Sequence, residues 1–517
     1  MSLNIFYTGT KETKTGKSVP VLSNGKTLFS EYNPERDIQF FSGTKEVQES
    51  GFILIGGLGD ASHISAVLEK NPSATIMVLE FNSETIDFLF SNGICSKNIL
   101  QNNRILLTTP QTLCTDIKNN YIPIIHGTFL YHPVKSWQLQ YDSTSSKSLK
   151  DELNETLHDI ASDYATQARF GKLMFVNILK NIALLSKLTE RESCSLIQSI
   201  ASTASDKEAA VIGAGPTLDE SIKLLKKYSE RFFIISTDTA YGTLYHNGIK
   251  PDVVVTIDGQ ISSIAHFIGI DSSKTTVAAD ICANAAAARH LYKQGCKMRF
   301  FTTGHPMGTL VNDWFRTVSK DGSNLLPVLS AGSGTVLSAA ADLAVKAGFG
   351  TIRFFGADFA YKSGKPYTRG TYLDAIYSSS SMRLAPLENS FCSLCYRTEL
   401  TEKDGKFTNS LLSSYKQSLG SYIASHSEAF SFEASSDKLQ ALETKQNIRT
   451  QEKSPSPSHN FSYKDFFDFF IANLENKDKN MLYSLLPFAT WLKEKEKNAD
   501  INDIYTKAAE LAALRRS

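Results

Sequence analysis

The stretch from Ala209 to Gln260 constrains the fold of this chain more than any other part of its sequence. It alternates short apolar runs with segments of helical periodicity, in the order strand, glycine turn, helix, strand, helix, strand. The apolar runs at 232–237 and 253–257 are continuous, and each is followed by an aspartate, Asp238 or Asp258. Continuous apolar strands are typical of parallel sheets that are covered on both faces. The stretch therefore predicts an α/β fold whose central domain is a Rossmann-like parallel sheet.

The turn after the first strand is rich in glycine and is a candidate nucleotide site. It consists of Gly213, Ala214, Gly215, Pro216 and Thr217. Because glycine has no side chain, a ligand can approach this backbone, and the free N–H groups of the following helix favour a phosphate. Thr217 and Glu220 match a T-x-x-E capping box, which predicts that the helix begins here. Many parallel-sheet proteins use glycine only to turn the chain at this point, so a structural role stays open.

Other polar residues follow the later strands of the same region. In open α/β sheets, ligands bind outside the carboxyl ends of the strands, where the strand order reverses. The candidate site residues at strand ends are Thr237, Asp238, Asp258, Asp280, His305, Gly356 and Asp358. The segment Ser330–Thr335 begins an alanine-rich helix, where it either holds a phosphate or allows a tight helix–sheet contact. The loop Phe359–Gly370 contains two tyrosines and several cations, which is typical of a lid or of a solvated surface.

A second α/β signature lies near the N-terminus. The apolar run 52–55 precedes Gly56-Gly57-Leu58-Gly59, and Glu80 follows the next run, about where a Rossmann unit has its ribose-binding acid. The spacing G-G-x-G differs from G-x-G-x-x-G, which favours a structural Rossmann-like domain over a cofactor site. The run 122–125 is a further candidate strand.

Length and composition bound the rest of the chain. At 517 residues, with 42% hydrophobic and 21% charged residues, it is long enough for several globular domains. A net charge of +1 gives no field that would attract nucleic acid or an anionic membrane. The first residues lack the apolar segment of a signal peptide, and no apolar run is long enough to span a bilayer. We therefore expect a cytoplasmic protein.

Composition shifts predict the domain boundaries. The region 461–517 is helical in composition, and its phenylalanines indicate docking onto another domain or subunit. The predicted parts are an N-terminal Rossmann-like domain at 1–145, a helical connector at 146–205, the central domain at 206–445, a Ser/Pro-rich linker at 446–460 and a C-terminal helical region at 461–517.

The central motifs resemble the MptE-like family, which includes the motility accessory factors, proposed flagellin glycosyltransferases. The resemblance is carried by Gly213–Leu218, by Gly248-Ile-Lys-Pro-Asp252 through Asp258, by Ser333-Gly334 and by Gly356-Ala-Asp-Phe359. The segment Leu28–Pro34 and the Gly56 region resemble the N-terminal part of these factors. The resemblance implies a sialyltransferase-like central domain that is the catalytic one.

The same motifs are more distantly similar to small bacterial sialyltransferases, which use CMP-activated nonulosonic sugars. By this similarity, Gly213–Leu218 and the segment Gly332, Ser333 and Gly334 bind the nucleotide. Tyr361 and Tyr367 resemble the two tyrosines that hydrogen-bond the leaving phosphate. Phenols can donate to developing negative charge without a metal. The segment that carries the general-base histidine of those enzymes resembles Lys406–Tyr415 here, which contains no histidine; His305, Asp280 or Asp358 could serve instead.

The leading hypothesis is an inverting glycosyltransferase that moves a nonulosonic sugar from CMP to serine or threonine hydroxyls of flagellin. It needs no cofactor, and its partners are the CMP-activated sugar and flagellin; the sequence is also compatible with a homo-oligomer. Two alternatives stay open. One is the Mg²⁺-dependent pterin diphosphokinase activity for which the family is named, with Asp238, Asp258 and Asp358 as oxygen ligands. The other is a flagellin-binding chaperone without catalysis.

Overall fold

The computed structural model describes residues 5–145, 148–188, 196–202, 207–319, 322–332, 334–403, 405–427, 431–434 and 462–516. The chain forms two compact units, Met1–Arg169 and Phe170–Ser517. The predicted linker at 446–460 lies outside the described residues, and the finer domain boundaries stay predictions. No helix in the ranges just given is both long and apolar enough to cross a membrane.

The first unit is built on a four-stranded parallel sheet with the order β5-β4-β3-β6, beside an antiparallel hairpin of β1 and β2. Its strands are β1 Tyr7–Glu12, β2 Ser18–Leu22, β3 Phe52–Gly56, β4 Thr75–Leu79, β5 Ile105–Thr108 and β6 Phe129–Tyr131. Its helices are α1 Pro34–Ser42, α2 Lys45–Glu49, α3 Ser62–Lys70, α4 Ser83–Ser91, α5 Leu113–Asn120, α6 Pro123–His126 and α7 Lys135–Thr144, with a 3₁₀ turn at Lys97–Gln101. Helix α8, Leu149–Leu185, runs from this unit into the second.

The prediction of a strand at 122–125 is wrong. Pro123 is the first residue of the short helix α6, a position where the missing N–H of proline costs nothing. The strand follows it as β6.

The glycine turn of the first unit is filled by the unit's own side chains. A Cβ built on Gly56 would lie 2.5 Å from the Trp137 ring, and one on Gly59 would collide with Leu28. Glu80 is fully buried. It accepts hydrogen bonds from Leu58 N (2.8 Å), Phe81 N (3.0 Å), Trp137 Nε1 (2.8 Å) and the Tyr7 hydroxyl (3.3 Å). Because the glycines and the acid are occupied from within, the geometry favours a structural role for this unit.

The second unit contains a seven-stranded sheet with the order β11-β10-β9-β8-β7-β12-β15, and all neighbouring strands are parallel. Its strands are β7 Glu208–Ile212, β8 Phe232–Thr237, β9 Val253–Thr256, β10 Thr276–Asp280, β11 Lys297–Phe301, β12 Thr351–Phe355 and β15 Ser431–Ala434, with a separate antiparallel pair of β13 Thr401–Lys403 and β14 Lys406–Thr408.

Helices precede, connect and follow these strands. They are α9 Leu196–Ala201, α10 Leu218–Lys227, α11 Asp238–His246, α12 Ala285–Lys293, α13 Pro306–Val318, α14 Val336–Lys346, α15 Tyr372–Ser380, α16 Leu387–Cys395, α17 Ser410–His426, α18 Tyr463–Glu475, α19 Lys479–Ser484, α20 Leu486–Lys495 and α21 Ile501–Arg516, with 3₁₀ turns at Ser229–Arg231 and Ile261–His266.

The strand order reverses between β7 and β12. From β7 the chain steps outward through β8, β9 and β10 to β11, and it then returns to the other side of β7 as β12. Every residue of β7, β8 and β9 is buried, which confirms the prediction of continuous apolar strands. The switch point where ligands of such sheets bind therefore lies at the carboxyl ends of β7 and β12.

The C-terminal helices pack on the same unit through aromatic side chains. Phe466 of α18 contacts Trp314 of α13 edge-on, with ring centroids 5.4 Å apart. Phe175 of α8 packs on Phe488 of α20, with centroids 4.7 Å apart, and lies near Phe470. The phenylalanine-rich segment thus packs against other helices of the second unit, 170–517.

Candidate active site

The loops after β7 and β12 pair with each other at the switch point. The N–H of Gly213 donates to the carbonyl of Phe355 at 2.8 Å, and that of Gly215 donates to Gly356 at 2.8 Å. A Cβ on Gly213 would lie 2.6 Å from the Gly356 carbonyl oxygen, and one on Gly356 would collide with the backbone of Gly213. Gly356 also has a φ of 62°, which side chains rarely adopt. The glycines are therefore required by the close contact of two loops.

The predicted capping box of α10 is wrong, although the helix begins where predicted. The hydroxyl of Thr217 donates to Asp358 Oδ2 at 2.7 Å, and the N–H of Thr217 donates to the same oxygen at 3.0 Å. Glu220 pairs with Lys362 instead of reaching back to the cap. A carboxylate from the loop after β12 thus occupies the positive end of α10.

Asp358 is a bridging group in this arrangement. Its second oxygen, Oδ1, pairs with Lys406 Nζ at 3.2 Å, and its side chain is 3% exposed. Both carboxylate oxygens are therefore occupied, so Asp358 lacks the access to a substrate proton that a general base needs. Its contacts bind the two loops and β14 together.

The alanine-rich helix α14 begins beside the same turn. A Cβ on Gly213 would lie 3.3 Å from Leu337 Cδ1 of this helix. Thr335 caps α14 by accepting from Ser338 N at 3.1 Å. Gly332 faces Ser418 of α17, whereas a Cβ on Gly334 would meet nothing within 4 Å. Ser333 lies outside the described residues. The first turn of α14, which follows Gly334, thus lies against the glycine turn after β7.

The loop Phe359–Gly370, called the tyrosine loop below, forms a fixed wall of the site. Tyr361 exchanges two backbone hydrogen bonds with Phe407 of β14, at 2.6 and 3.0 Å. At the other end, the N–H of Thr368 donates to the Ala214 carbonyl at 2.9 Å, and its hydroxyl donates to Asp219. The loop is therefore tied to the glycine turn, which speaks against the lid interpretation.

Four phenols and a carboxylate gather where this loop passes the strand ends. Burial raises the pKa of Tyr367 to about 12, and the nearby Tyr372, Tyr361, Asp238 and Tyr415 add to that rise. Tyr367 nevertheless keeps 37% of its surface exposed, so it is accessible from solvent. Burial also raises the pKa of Tyr361, whose hydroxyl lies 3.5 Å from Asn409 Nδ2. At neutral pH both phenols are hydrogen-bond donors.

Thr237 and Asp238 are largely occupied by structural hydrogen bonds. The hydroxyl of Thr237 accepts from Ala240 N at 3.4 Å and caps α11. Asp238 is 1% exposed and accepts from Thr239 N at 2.7 Å and from the Thr256 hydroxyl at 2.7 Å. These two residues lie at the predicted edge of the sheet. The Thr256–Asp238 hydrogen bond links the ends of β9 and β8.

Asp258 at the end of β9 is only partly buried. Burial raises its pKa, and the neighbouring carboxylate of Asp238 raises it further, against hydrogen bonds from Gln260 and the influence of His266. Asn177 of α8 holds this loop through its amide, which donates to the Gly259 carbonyl at 2.9 Å. Asp258 also lies near enough to Tyr372 to be among the groups that raise the pKa of that phenol, after the larger effect of burial.

His305 and Asp280 lie apart from the switch point. His305 follows β11, the edge strand, four strand spacings or roughly 19 Å from β7. Its Nδ1 accepts from Met307 N at 3.1 Å, and burial lowers its pKa to about 4. Asp280 is 1% exposed and accepts from Cys282 N at 2.6 Å and from Thr303 N at 2.8 Å. Neither side chain is placed to activate an acceptor beside Tyr361 and Tyr367.

Sequence reasoning missed several residues of the site. Tyr372, Tyr415, Asn409 and His266 all lie among the phenols and acids described above. Tyr415 and Asn409 belong to the segment that the resemblance singled out for its lack of a histidine. Of these residues, only Tyr372 could have been suspected from the sequence, because it lies two residues after the tyrosine loop.

No group of three or more His, Cys, Asp or Glu side chains that could hold a metal ion occurs in the described ranges.

Comparison with known proteins places this chain in a family. A model of the family described as 6-hydroxymethylpterin diphosphokinase MptE-like matches residues 177–364. An uncharacterized protein of Treponema pallidum (strain Nichols) is 32% identical over 240 residues, which is 45% of this chain and 73% of that protein. The chain belongs to the MptE-like family. A second uncharacterized Treponema pallidum protein is 29% identical over 156 residues, 30% of this chain and 70% of that protein.

A solved structure shares the fold of this MptE-like protein. The Maf glycosyltransferase from Magnetospirillum magneticum AMB-1 superposes with a TM-score of 0.54, over 99% of this chain and 86% of that one, at 12% sequence identity. The similarity confirms the predicted α/β fold. The family match begins at Asn177 and ends within the tyrosine loop, so it includes both loops of the switch point.

Proposed function

We propose that this protein is an inverting glycosyltransferase that transfers a nonulosonic sugar from CMP to serine or threonine hydroxyls of flagellin. The observation that carries the proposal is that the loop with Tyr361 and Tyr367 is tied to the glycine turn through the Thr368–Ala214 hydrogen bond. Its two phenols lie near enough for Tyr361 to raise the pKa of Tyr367. The name of the solved structure with this fold, a Maf glycosyltransferase, supports the same class of reaction.

The two phenols suit the departure of CMP. As the bond between the anomeric carbon and the phosphate oxygen breaks, negative charge grows on the phosphate, and O–H donors that are already in place stabilise it. Their raised pKa values keep both hydroxyls protonated at neutral pH. This chemistry asks for no metal ion.

The nucleotide is assigned to the glycine segments. Gly334 is the most open of them, because a side chain there would meet no neighbour within 4 Å. The turn Gly213–Thr217 forms the floor of the site, where Asp358 already satisfies the N–H of Thr217, the residue just before α10. We therefore assign the contact with the phosphate to the phenols and that with the nucleoside to the surface around Gly334.

The test is to incubate the protein with CMP-nonulosonate and flagellin and to record the mass of the acceptor. A transferase adds the mass of one sugar per modified hydroxyl. Substitution of both tyrosines, Tyr361→Phe and Tyr367→Phe, is expected to slow transfer by an order of magnitude or more, because it removes the two donors. Tyr483→Phe on the exposed face of α19 is the matched control. No mass gain together with no binding of CMP would refute the proposal, and unchanged acceptor binding would then favour a chaperone.

A second candidate is the pterin diphosphokinase activity in the family's name. It is favoured by two acids at adjacent strand ends, Asp238 and Asp258, which lie near enough for Asp238 to raise the pKa of Asp258. Such a reaction depends on Mg²⁺ held by oxygen ligands. EDTA separates the two candidates, because it abolishes a Mg²⁺-dependent pyrophosphate transfer and spares departure assisted by phenols.

A further inference from the structure

The acceptor hydroxyl needs a group that takes its proton, and the three candidates named from sequence are poorly placed. Asp358 is held by Thr217 and Lys406. Asp280 is buried under two backbone donors, and His305 lies near the far edge of the sheet. A base must reach the acceptor before its pKa matters. The general base is therefore expected to be another residue, near the tyrosines of the site.

Asp258 is the carboxylate at this edge that the protein constrains least. Within the described ranges, the hydrogen bonds to its carboxylate come from Gln260, including one from the backbone N–H at 2.8 Å. Gln260 is exposed, and Asp258 is only partly buried. By contrast, Asp238 is bound by Thr239 and Thr256. Asp258 thus keeps access to solvent that its neighbour lacks.

The surroundings of Asp258 link it to the tyrosines. The Tyr372 phenol lies near enough to Asp258 for the carboxylate to raise its pKa, after the larger effect of burial, and Tyr372 in turn influences Tyr367. His266 packs edge-on against the Tyr372 ring, with centroids 4.4 Å apart, and its Nδ1 is buried without a hydrogen-bond partner in the described residues. Asp258, His266 and Tyr372 therefore form one polar cluster beside the phenols.

The position along the sheet edge fits an inverting displacement. The glycine turn follows β7 and Asp258 follows β9, two strands away, which is about 10 Å. A phosphate and a sugar ring fill a gap of this size. In an inverting reaction the base and the leaving group lie on opposite faces of the anomeric carbon, so the proposal requires the sugar to lie between the phosphate and Asp258.

We propose that Asp258 accepts the proton of the acceptor hydroxyl during sugar transfer. The proposal rests on the proposed function. The hydroxyl oxygen forms a bond to the anomeric carbon, the bond from that carbon to the phosphate breaks, and its electron pair leaves with CMP. The proton moves to the carboxylate of Asp258 and then to water, so no oxidant, reductant or further reactant is needed.

Asp258→Asn tests the proposal, because it keeps the shape and the hydrogen bonds of the side chain while removing the base. We expect kcat for transfer to fall by 10²- to 10⁴-fold, the usual contribution of a general base. The Kd for CMP, measured by calorimetry, should change less than threefold. Asp271→Asn, on an exposed carboxylate that accepts from Ser273 N at 3.0 Å, is the matched control and should transfer sugar at the wild-type rate.

A second variant separates lost chemistry from lost structure. In Asp258→Ala, added formate can enter the vacated place as a carboxylate base, and transfer should recover at least tenfold. A purely structural role for Asp258 predicts no recovery. If the wild type transfers sugar and Asp258→Asn does so at a similar rate, this inference alone is overturned. If the wild type transfers none, the proposed function falls and this inference falls with it.

Discussion

Replacing Asp358 by alanine tests how the switch point is held together. The side chain is 3% exposed, and one of its oxygens receives both the N–H and the hydroxyl of Thr217. Alanine removes both acceptor contacts at once and leaves the first turn of α10 without its cap. We expect the second unit to lose stability, because the N–H and the hydroxyl of Thr217 then lose the acceptor that the loop after β12 provides.

The magnitude follows from the number and kind of hydrogen bonds. A hydrogen bond to a charged group contributes about 1.5 to 3 kcal/mol. Because Thr217 is half-buried and water can replace part of the cap, the lower end applies, so two bonds amount to about 3 kcal/mol. Asp358→Asn keeps an oxygen that accepts from Thr217 and should cost about 1 kcal/mol. The ion pair with Lys406, which is 39% exposed, adds little.

The assay is urea unfolding followed by tryptophan fluorescence. Trp314 and Trp491 report on the second unit, so Trp137 of the first unit is replaced by Phe in all variants. Thr217→Val and the double variant with Asp358→Ala complete a double-mutant cycle, which should give a coupling free energy of about 1.5 kcal/mol.

Two results would refute this reasoning. A loss below about 1 kcal/mol for Asp358→Ala would mean that the carboxylate does not cap α10. A coupling free energy below about 0.5 kcal/mol would mean that the Thr217 hydroxyl and Asp358 act independently.

Two further predictions concern the glycine contact and a buried histidine. Gly213→Ala places a Cβ 2.6 Å from the Gly356 carbonyl oxygen, so it should cost about 1 to 3 kcal/mol in the same urea assay, and no change would contradict the close contact. Burial lowers the pKa of His63 to about 4 in the folded first unit. The unfolded chain therefore binds a proton that the folded one does not, and stability falls by about 3 kcal/mol as the pH drops from about 6.5 to 4. The substitution His63→Gln should remove this dependence of the free energy of unfolding on pH, which is measured by the fluorescence of Trp137. An unchanged pH dependence would exclude His63 as its source.

Local sequence patterns predicted the elements of the fold well. The continuous apolar runs at 232–237 and 253–257 correspond to β8 and β9. They could be recognised because a strand that is buried on both faces is apolar at almost every residue. The start of α10 was also predicted, but its cap was not. The residue that receives Thr217 lies 141 positions away, so the competing T-x-x-E pattern was the only signal in the local sequence.

The composition of the site depends on which strands become neighbours. No local pattern indicates that β12 returns beside β7, yet this step brings Gly356 against Gly213 and Asp358 against α10. The same step leaves His305 at the far edge. Likewise, the sequence shows Glu80 at the ribose position but gives no sign that Trp137 and Tyr7 already bind it.

The most direct test of the account is a crystal structure of the protein with CMP. We predict that CMP binds at the carboxyl edge of the sheet, with its nucleoside on the surface around Gly334 and its phosphate within hydrogen-bond distance of the Tyr361 and Tyr367 hydroxyls. CMP bound elsewhere, or a phosphate that contacts neither tyrosine, would contradict the account.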